Sequence, residues 1–155
     1  MSSLVNASHE TEMTTPWRLV PWLNRLILLA PLVIIAVITA RIITDPVRSA
    51  AEHGMTLDSP VGLTNYRSGN GGIFLAFAIF TISCLVFTRR HLTGLSFLAL
   101  MMGVVLAVRG VSVVIDGTLR EQLPLLVAEA VFLTLSVVGV FLELARRHRL
   151  GNSGG

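Results

Sequence analysis

Long apolar runs separated by short polar stretches dominate the chain. Four of the runs are each close to the roughly 20 residues that an α-helix needs to cross the hydrocarbon core of a membrane. They lie at about residues 22–43, 71–87, 92–115 and 123–144. The pattern predicts an all-α fold, a four-helix transmembrane bundle over residues 17–147 with a structured outer loop between helices 1 and 2.

The long connection between the first two runs contains its own signals. Asp45-Pro46 ends the first helix, because the residue before a proline avoids the helical conformation. The sequence VRSAAEH that follows predicts a short helix at the membrane interface. The glycine-rich SGNGG predicts a tight entry turn before a helix that starts at Gly71-Gly72, although that helix could instead extend back through residues 67–70.

Composition agrees with a membrane domain and excludes several other classes. Of 155 residues, 53% are hydrophobic, which is high for a soluble domain of this size. The net charge is +3 and every basic residue apart from histidine is Arg, but the arginines are scattered at helix ends, so no nucleic-acid partner is expected. The single cysteine, Cys84, has no intramolecular disulfide partner and is predicted to be a small buried side chain.

The arginines predict how the bundle is oriented. Seven arginines fall on one side of a four-span topology: Arg18, Arg25, Arg89, Arg90, Arg146, Arg147 and Arg149. Cytoplasmic loops carry an excess of Lys and Arg, so both termini are expected in the cytoplasm of a bacterial plasma membrane. Residues 1–16 would then form a disordered cytoplasmic tail and residues 148–155 a flexible one. Cleavage of the first run as a signal peptide is not expected, because Ile38 stands where a small residue is wanted.

Two charged residues lie inside neighbouring apolar runs at similar depth. Arg109 is about 10 Å from the end of the third run, and Glu129 is about 12 Å from the start of the fourth, at helical rise. An ionised group in hydrocarbon costs several kcal/mol unless it has a partner or water. We therefore predict an intramembrane ion pair, and two interpretations stay open: a functional polar site or a structural pair that fixes helix packing.

Further polar residues repeat with helical spacing around this pair. Met102, Arg109 and Asp116 recur every seven residues on the third run. Gln122, Glu129, Ser136 and Glu143 do the same on the fourth. Glu143 and Arg146 are expected to lie at the interface near the helix end. Small residues that would let helices approach closely are Ala99, Gly103 and Ala107 on the third run and Gly72 and Ala76 on the second.

The outer half of the predicted bundle collects most of the remaining polar groups. Asn65, Arg67 and Asp116 are candidates to line a pocket with Arg109 and Glu129. Free N–H groups at a helix start near Gly71 would add a positive dipole end. Such a pocket would favour an anionic or carbonyl-bearing head group, so membrane lipids are the first ligand class to consider.

Recognisable catalytic and cofactor motifs are missing from the sequence. The four histidines fall in predicted tails or loops: His9, His53, His91 and His148. The sequence contains no HExxH, no cysteine cluster and no Walker or GxGxxG loop. No cofactor and no metal site are predicted, and an enzyme of familiar type is not expected.

Four short motifs resemble those of a known family. They are DPVRSAAEHGM after the first run, NYRSGNGG before the second, VRGVSVVIDG in the third and AEAVF in the fourth. Over about residues 25–147 the chain resembles the small four-helix bacterial membrane proteins grouped as domain of unknown function 4345, and more distantly the DoxX-like proteins. The resemblance implies the fold and a membrane location, and it implies no activity.

Three functional classes remain open. The preferred hypothesis is a non-enzymatic binding or accessory subunit of a larger envelope complex, or a homo-oligomer. The second is a small carrier or proton-coupled exchanger that uses Arg109 and Glu129, which would require internal repeats or broken helices. The third is a lipid- or quinone-modifying enzyme that uses the outer pocket.

Overall fold

The computed structural model describes the backbone of residues 2–152 and the side chains of residues 19–149. In that part of the chain every regular element is a helix. The α-helices are α1 (Ser2–Thr44), α2 (Pro46–Ala51), α3 (Pro60–Tyr66), α4 (Gly72–Val86), α5 (His91–Asp116) and α6 (Leu119–Asn152). A π-helical segment, Arg67–Gly71, joins α3 to α4, and a single 3₁₀ turn, Thr88–Arg90, precedes α5. The all-α prediction is therefore confirmed.

Four helical spans in the described residues are long and apolar enough to cross a membrane. They are Leu19–Thr44, Pro60–Val86, Thr88–Asp116 and Leu119–Arg149, which alternate in direction as in a multi-pass membrane protein. We call the end that carries Arg25, the Thr88–Arg90 turn and Arg146 the basic end, and the opposite end, with α2 and α3, the loop end.

The second span begins earlier than the sequence predicted. Ser59 Oγ accepts a hydrogen bond from Gly62 N at 3.0 Å and Pro60 occupies the first helical turn, which starts the helix well before residue 71. The N–H of Gly72 bonds to the carbonyls of Arg67 and Ser68, so the predicted entry turn is wrong and the alternative, a helix that extends back through residues 67–70, is confirmed. A continuous helix keeps every N–H bonded, which hydrocarbon requires.

The two tails are only partly described. The backbone of α1 is helical from Ser2, which includes most of the predicted tail over residues 1–16, but no side chain is described before Leu19. At the other end α6 continues to Asn152, past the predicted boundary at residue 147, and residues 153–155 lie outside the described residues. The flexibility of both tails stays a prediction.

Two buried clusters hold the spans together. Near the basic end, Ile27, Leu28, Cys84, Leu95 and Leu98 form the main core, which confirms that Cys84 is buried. The helix α1 packs against each of the other three spans, and α5 packs along α6. Most large apolar side chains elsewhere point outward, as expected for helices that face lipid.

The loop end has a smaller core. Ile42, Ala50 and Tyr66 pack together there, and the Tyr66 hydroxyl lies 3.3 Å from Ser49 Oγ. Asp45 caps α2 by accepting a hydrogen bond from Arg48 N at 3.2 Å. These contacts confirm the predicted short helix and tie the connection between α1 and the second span to the bundle.

Candidate intramembrane binding site

Arg109 and Glu129 form a bidentate ion pair between α5 and α6. Arg109 Nε donates to both carboxylate oxygens at 2.9 Å, and Arg109 Nη2 lies 2.8 Å from Glu129 Oε1. The two helices are antiparallel and joined by a tight turn at Gly117, whose φ of 67° is the left-handed conformation that favours glycine. This turn sets the register that brings the guanidinium and the carboxylate to the same depth.

Gln122 is a third member of the site. Arg109 Nη1 donates to Gln122 Oε1 at 2.9 Å. Gln122 and Glu129 lie two helical turns apart on the same face of α6, so the guanidinium sits between them. Of the five N–H donors of an arginine, these contacts use three and leave two free for a further acceptor.

The Arg109–Glu129 pair is only partly buried. The Arg109 side chain is 29% exposed and that of Glu129 is 14% exposed. Opposite charges at hydrogen-bond distance neutralise each other in hydrocarbon, which makes both charges tolerable at this depth. The residual exposure is on the side of Arg109, where a cavity opens.

The cavity beside Arg109 has a volume of about 420 Å³. Its wall toward the middle of the bundle is apolar and its wall toward the loop end is polar. The lining residues are Val104, Val105, Val108, Arg109, Ser112, Val113, Asp116, Thr118 and Gln122. All of them belong to α5, α6 or the turn between these helices. The site is therefore a groove between two helices, and the exposed side chains of Val104 and Val108 place its opening on the side of the bundle.

The predicted pocket residues divide into two groups. Asp116 lines the cavity, with its carboxylate exposed. Asn65 and Arg67 are exposed on the second span, and neither lines the cavity. The positive dipole end expected near Gly71 does not exist, because that glycine lies inside a continuous helix, packed against Ile42. The structure thus narrows the site to α5 and α6.

The small residues predicted to pack helices are mostly not the ones that do so. A Cβ added at Gly103 would meet Leu133 at 3.8 Å, an ordinary contact, and one added at Gly72 would meet nothing within 4 Å. Ala99 is half-buried, whereas Ala76 and Ala107 are exposed. The close approaches are instead at Gly94 and Gly139, as described below.

Two glycines allow the four spans to meet in the main core. A Cβ at Gly94 would lie 2.7 Å from Cys84 Cβ, and one at Gly139 would lie 3.0 Å from Leu95 Cδ2. The first distance is shorter than side chains tolerate, so glycine is required for α4 and α5 to cross there. Neither glycine has another small residue four positions away on its helix, which is the spacing of Ala99, Gly103 and Ala107.

A second polar cluster lies at the basic end, where the sequence predicted only interface residues. Glu143 lies near the end of its apolar run, as the sequence predicted, but its side chain is fully buried within the protein. It accepts hydrogen bonds from Asn24 Nδ2 at 3.1 Å, from Arg146 Nε at 2.9 Å and from Arg147 Nε at 3.0 Å. The heptad Gln122, Glu129, Ser136, Glu143 was the available signal, since Ser136 is fully buried as well.

His91 belongs to the same region and was expected in a loop. It is the first residue of α5, it is fully buried, and its Nε2 lies 3.4 Å from the carbonyl of Leu85. Among the described residues, His91 Nδ1 and Asn24 Oδ1 are buried polar atoms without a hydrogen-bond partner. Three spans therefore each contribute a fully buried polar side chain at the basic end: Asn24, His91 and Glu143.

The groove beside Arg109 does not assemble a recognisable catalytic centre from its described residues. The lining of the cavity beside Arg109 includes hydroxyl, amide and carboxylate groups but neither histidine nor cysteine. Over the part of the chain whose side chains are described, no group of three or more His, Cys, Asp or Glu could hold a metal ion. What the arrangement offers is hydrogen bonding and charge in a groove with apolar walls.

Comparison with known proteins adds no relative. No protein-family model, no curated protein and no solved structure matches the chain.

Proposed function

We propose that the protein is a non-enzymatic binding component of a bacterial plasma membrane, an accessory subunit whose groove between α5 and α6 holds the head of a lipid-like molecule. The observation that carries the proposal is the lateral cavity of about 420 Å³, polar at the loop end and apolar toward the middle of the bundle. A polar lining that faces hydrocarbon is costly unless a hydrogen-bonding partner covers it.

The charges in the groove favour a neutral or zwitterionic head group over an anionic one. Arg109 is the only cation of the lining, and Glu129 already neutralises it. Asp116 adds a negative charge at the loop end of the cavity. A head group with a carbonyl, hydroxyl or phosphate oxygen can accept the two free Arg109 N–H groups, while an ammonium group can face Asp116. Phosphatidylethanolamine has both features.

The carrier hypothesis receives less support from the same residues. A proton-coupled exchanger of the usual kind has a discontinuous helix at its site. Here α5 and α6 continue as helices past Arg109 and Glu129, and the guanidinium binds three acceptor oxygens in two side chains. Such a closed pair favours a fixed polar site. Proton flux that depends on Glu129 would favour the exchanger instead.

The lipid test uses two substitutions on one helix. Val108→Trp would fill the cavity without removing a polar group, because Val108 lines it. Val111→Trp is the matched control, since Val111 is similarly exposed on α5 and lies outside the lining. Both proteins and the wild type would be purified in mild detergent, and their retained lipids would be identified by native mass spectrometry. Thermal unfolding would check that both variants fold.

The expected result separates the two variants. Wild type and Val111→Trp should retain a zwitterionic lipid, and Val108→Trp should lose it. Equal retention by all three proteins, or no retained lipid in the wild type, would contradict the proposal. A proton flux in proteoliposomes that the wild type shows and Glu129→Gln loses would favour the exchanger hypothesis over the lipid-binding proposal.

A further inference from the structure

A second cavity, at the basic end, is chemically opposite to the first. Its volume is about 430 Å³, and it is lined by Thr88, Arg89, Arg146 and Arg147. Three of these four residues are cations, and none is an acid. The cavity joins the turn before α5 to the last turns of α6, where those two spans leave the apolar region.

The arginines of this cavity are held in place from behind. Glu143 binds Arg146 through two hydrogen bonds, from Nε at 2.9 Å and from Nη2 at 2.6 Å. Arg147 donates from Nε to Glu143 at 3.0 Å and from Nη2 to the carbonyl of Arg89 at 2.7 Å. Because both guanidinium groups are already oriented, little side-chain entropy would be lost when an anion binds.

Charge at the cavity remains positive after these contacts. Among the residues whose side chains are described, Glu143 is the only acid that pairs with the three lining arginines, so two positive charges are left. Among the described residues, the Nη1 groups of Arg146 and Arg147 form no hydrogen bond, and Arg89 forms no ion pair. The Thr88 hydroxyl supplies one more donor. Two spare charges and several N–H donors suit a phosphate group.

We infer that this cavity binds a phosphate-bearing anion, which the head group of an anionic lipid such as phosphatidylglycerol would supply. Basic pockets between helix ends are typical sites for anionic head groups, and each arginine near such a surface contributes measurable affinity. The cavity lies at the ends of two apolar spans, the depth at which a lipid phosphate lies. This inference does not depend on the groove beside Arg109.

The test compares two neighbouring arginines in the full-length protein. Acyl-labelled phosphatidylglycerol would be titrated into purified protein in detergent micelles, with acyl-labelled phosphatidylcholine as the neutral reference. Arg89→Gln should weaken phosphatidylglycerol binding about fivefold. Arg90→Gln is the matched control, because it removes the same charge from the next residue, whose guanidinium lies over the Phe87 ring and outside the cavity lining. That control should bind like the wild type.

Each outcome of this experiment decides something. If both substitutions weaken phosphatidylglycerol binding equally, the attraction is a general charge effect and the inference is overturned. Equal affinity for the two lipids, together with no effect of added phosphate, would also overturn it. Inorganic phosphate is the second probe. If phosphate displaces the labelled lipid only in large excess, the lipid is the source of the anion. If phosphate stabilises the wild type as strongly as the lipid does, and fails to stabilise Arg89→Gln, the site stands and its ligand is a soluble phosphate.

Discussion

Asn24 on α1 and Glu143 on α6 are hydrogen-bonded side chain to side chain, at 3.1 Å from Nδ2 to Oε2, although 119 positions separate them in the sequence. Both side chains are fully buried. Because Glu143 also binds Arg146 and Arg147, this single contact connects the first span to the basic cluster of the last span. A buried carboxylate is tolerated only when its oxygens are satisfied, so Asn24 and the two arginines act as one unit.

We expect Asn24→Ala to lower the free energy of unfolding by about 1.5–3 kcal/mol, the range for a hydrogen bond to a charged group. Glu143→Ala should cost more, because it also leaves two arginines without their acid. Unfolding of the purified protein in detergent, followed by circular dichroism, would measure both. Glu52→Ala is the control, since Glu52 pairs with Arg41 and Arg48 on the exposed loop end. If all three variants lose the same stability, the buried contact has no special role.

The Arg109–Glu129 pair should show strong coupling in a double-mutant cycle. Arg109→Gln or Glu129→Gln alone strands one charge in low dielectric and should cost about 3–5 kcal/mol. The double variant leaves neutral amides and should be milder than the sum of the two. The exposed pair Arg41–Glu52 serves as the reference cycle, with an expected coupling of at most about 1 kcal/mol. Additive losses at Arg109 and Glu129 would mean that the contact carries no net energy.

The sequence was sufficient for the number of spans and for the pairing of Arg109 with Glu129, but not for the start of the second span. Apolar run length predicts membrane helices because the hydrocarbon thickness sets it. The short turn at Gly117 makes α5 and α6 antiparallel neighbours, so equal depth from that turn predicts contact. The spacing of residues along the sequence is therefore enough to predict the contact between Arg109 and Glu129.

The remaining features depend on contacts that spacing does not encode. The stretch Arg67–Gly71 has the composition of a turn, yet it continues as a π-helix, since backbone groups inside an apolar span must stay bonded. Asn24 belongs to no polar repeat, and only the packing of α1 against α6 makes it a partner of Glu143. Arg67 was expected to line a pocket with Arg109 and Glu129, and it does not. The tilt of a span is set by its packing, which spacing along the sequence does not encode.

The orientation of the bundle can be tested by cysteine labelling. The native Cys84 is 1% exposed, so the parent protein should give little signal with a membrane-impermeant maleimide. The arginine bias predicts that Asp58→Cys, in the exposed loop, is labelled in intact cells. Ser153→Cys, beyond α6, should be labelled only after the cells are permeabilised. The reverse labelling pattern would place the basic end outside and contradict both cytoplasmic termini.

Gly94 should be the least replaceable glycine of the main core. In Gly94→Ala the new Cβ would lie 2.7 Å from Cys84 Cβ and 3.3 Å from Leu28 Cδ2, so α4 and α5 must move apart, at a cost of about 1–3 kcal/mol. Gly110→Ala is the control on the same helix, because a Cβ there meets nothing within 4 Å. That substitution should be neutral or stabilise by up to about 1 kcal/mol, since alanine favours helix over glycine.

A third variant shows whether the clash in Gly94→Ala is with the Cβ of Cys84 or with its sulfur. Cys84→Ala removes the sulfur but keeps the Cβ that Gly94→Ala would meet, so combining the two substitutions should not restore stability. The midpoint of thermal unfolding in detergent would rank the variants. Equal midpoints for Gly94→Ala and Gly110→Ala would show that the helices can separate freely at this crossing. Full rescue by Cys84→Ala would instead locate the strain at the sulfur and correct the geometry proposed for this contact.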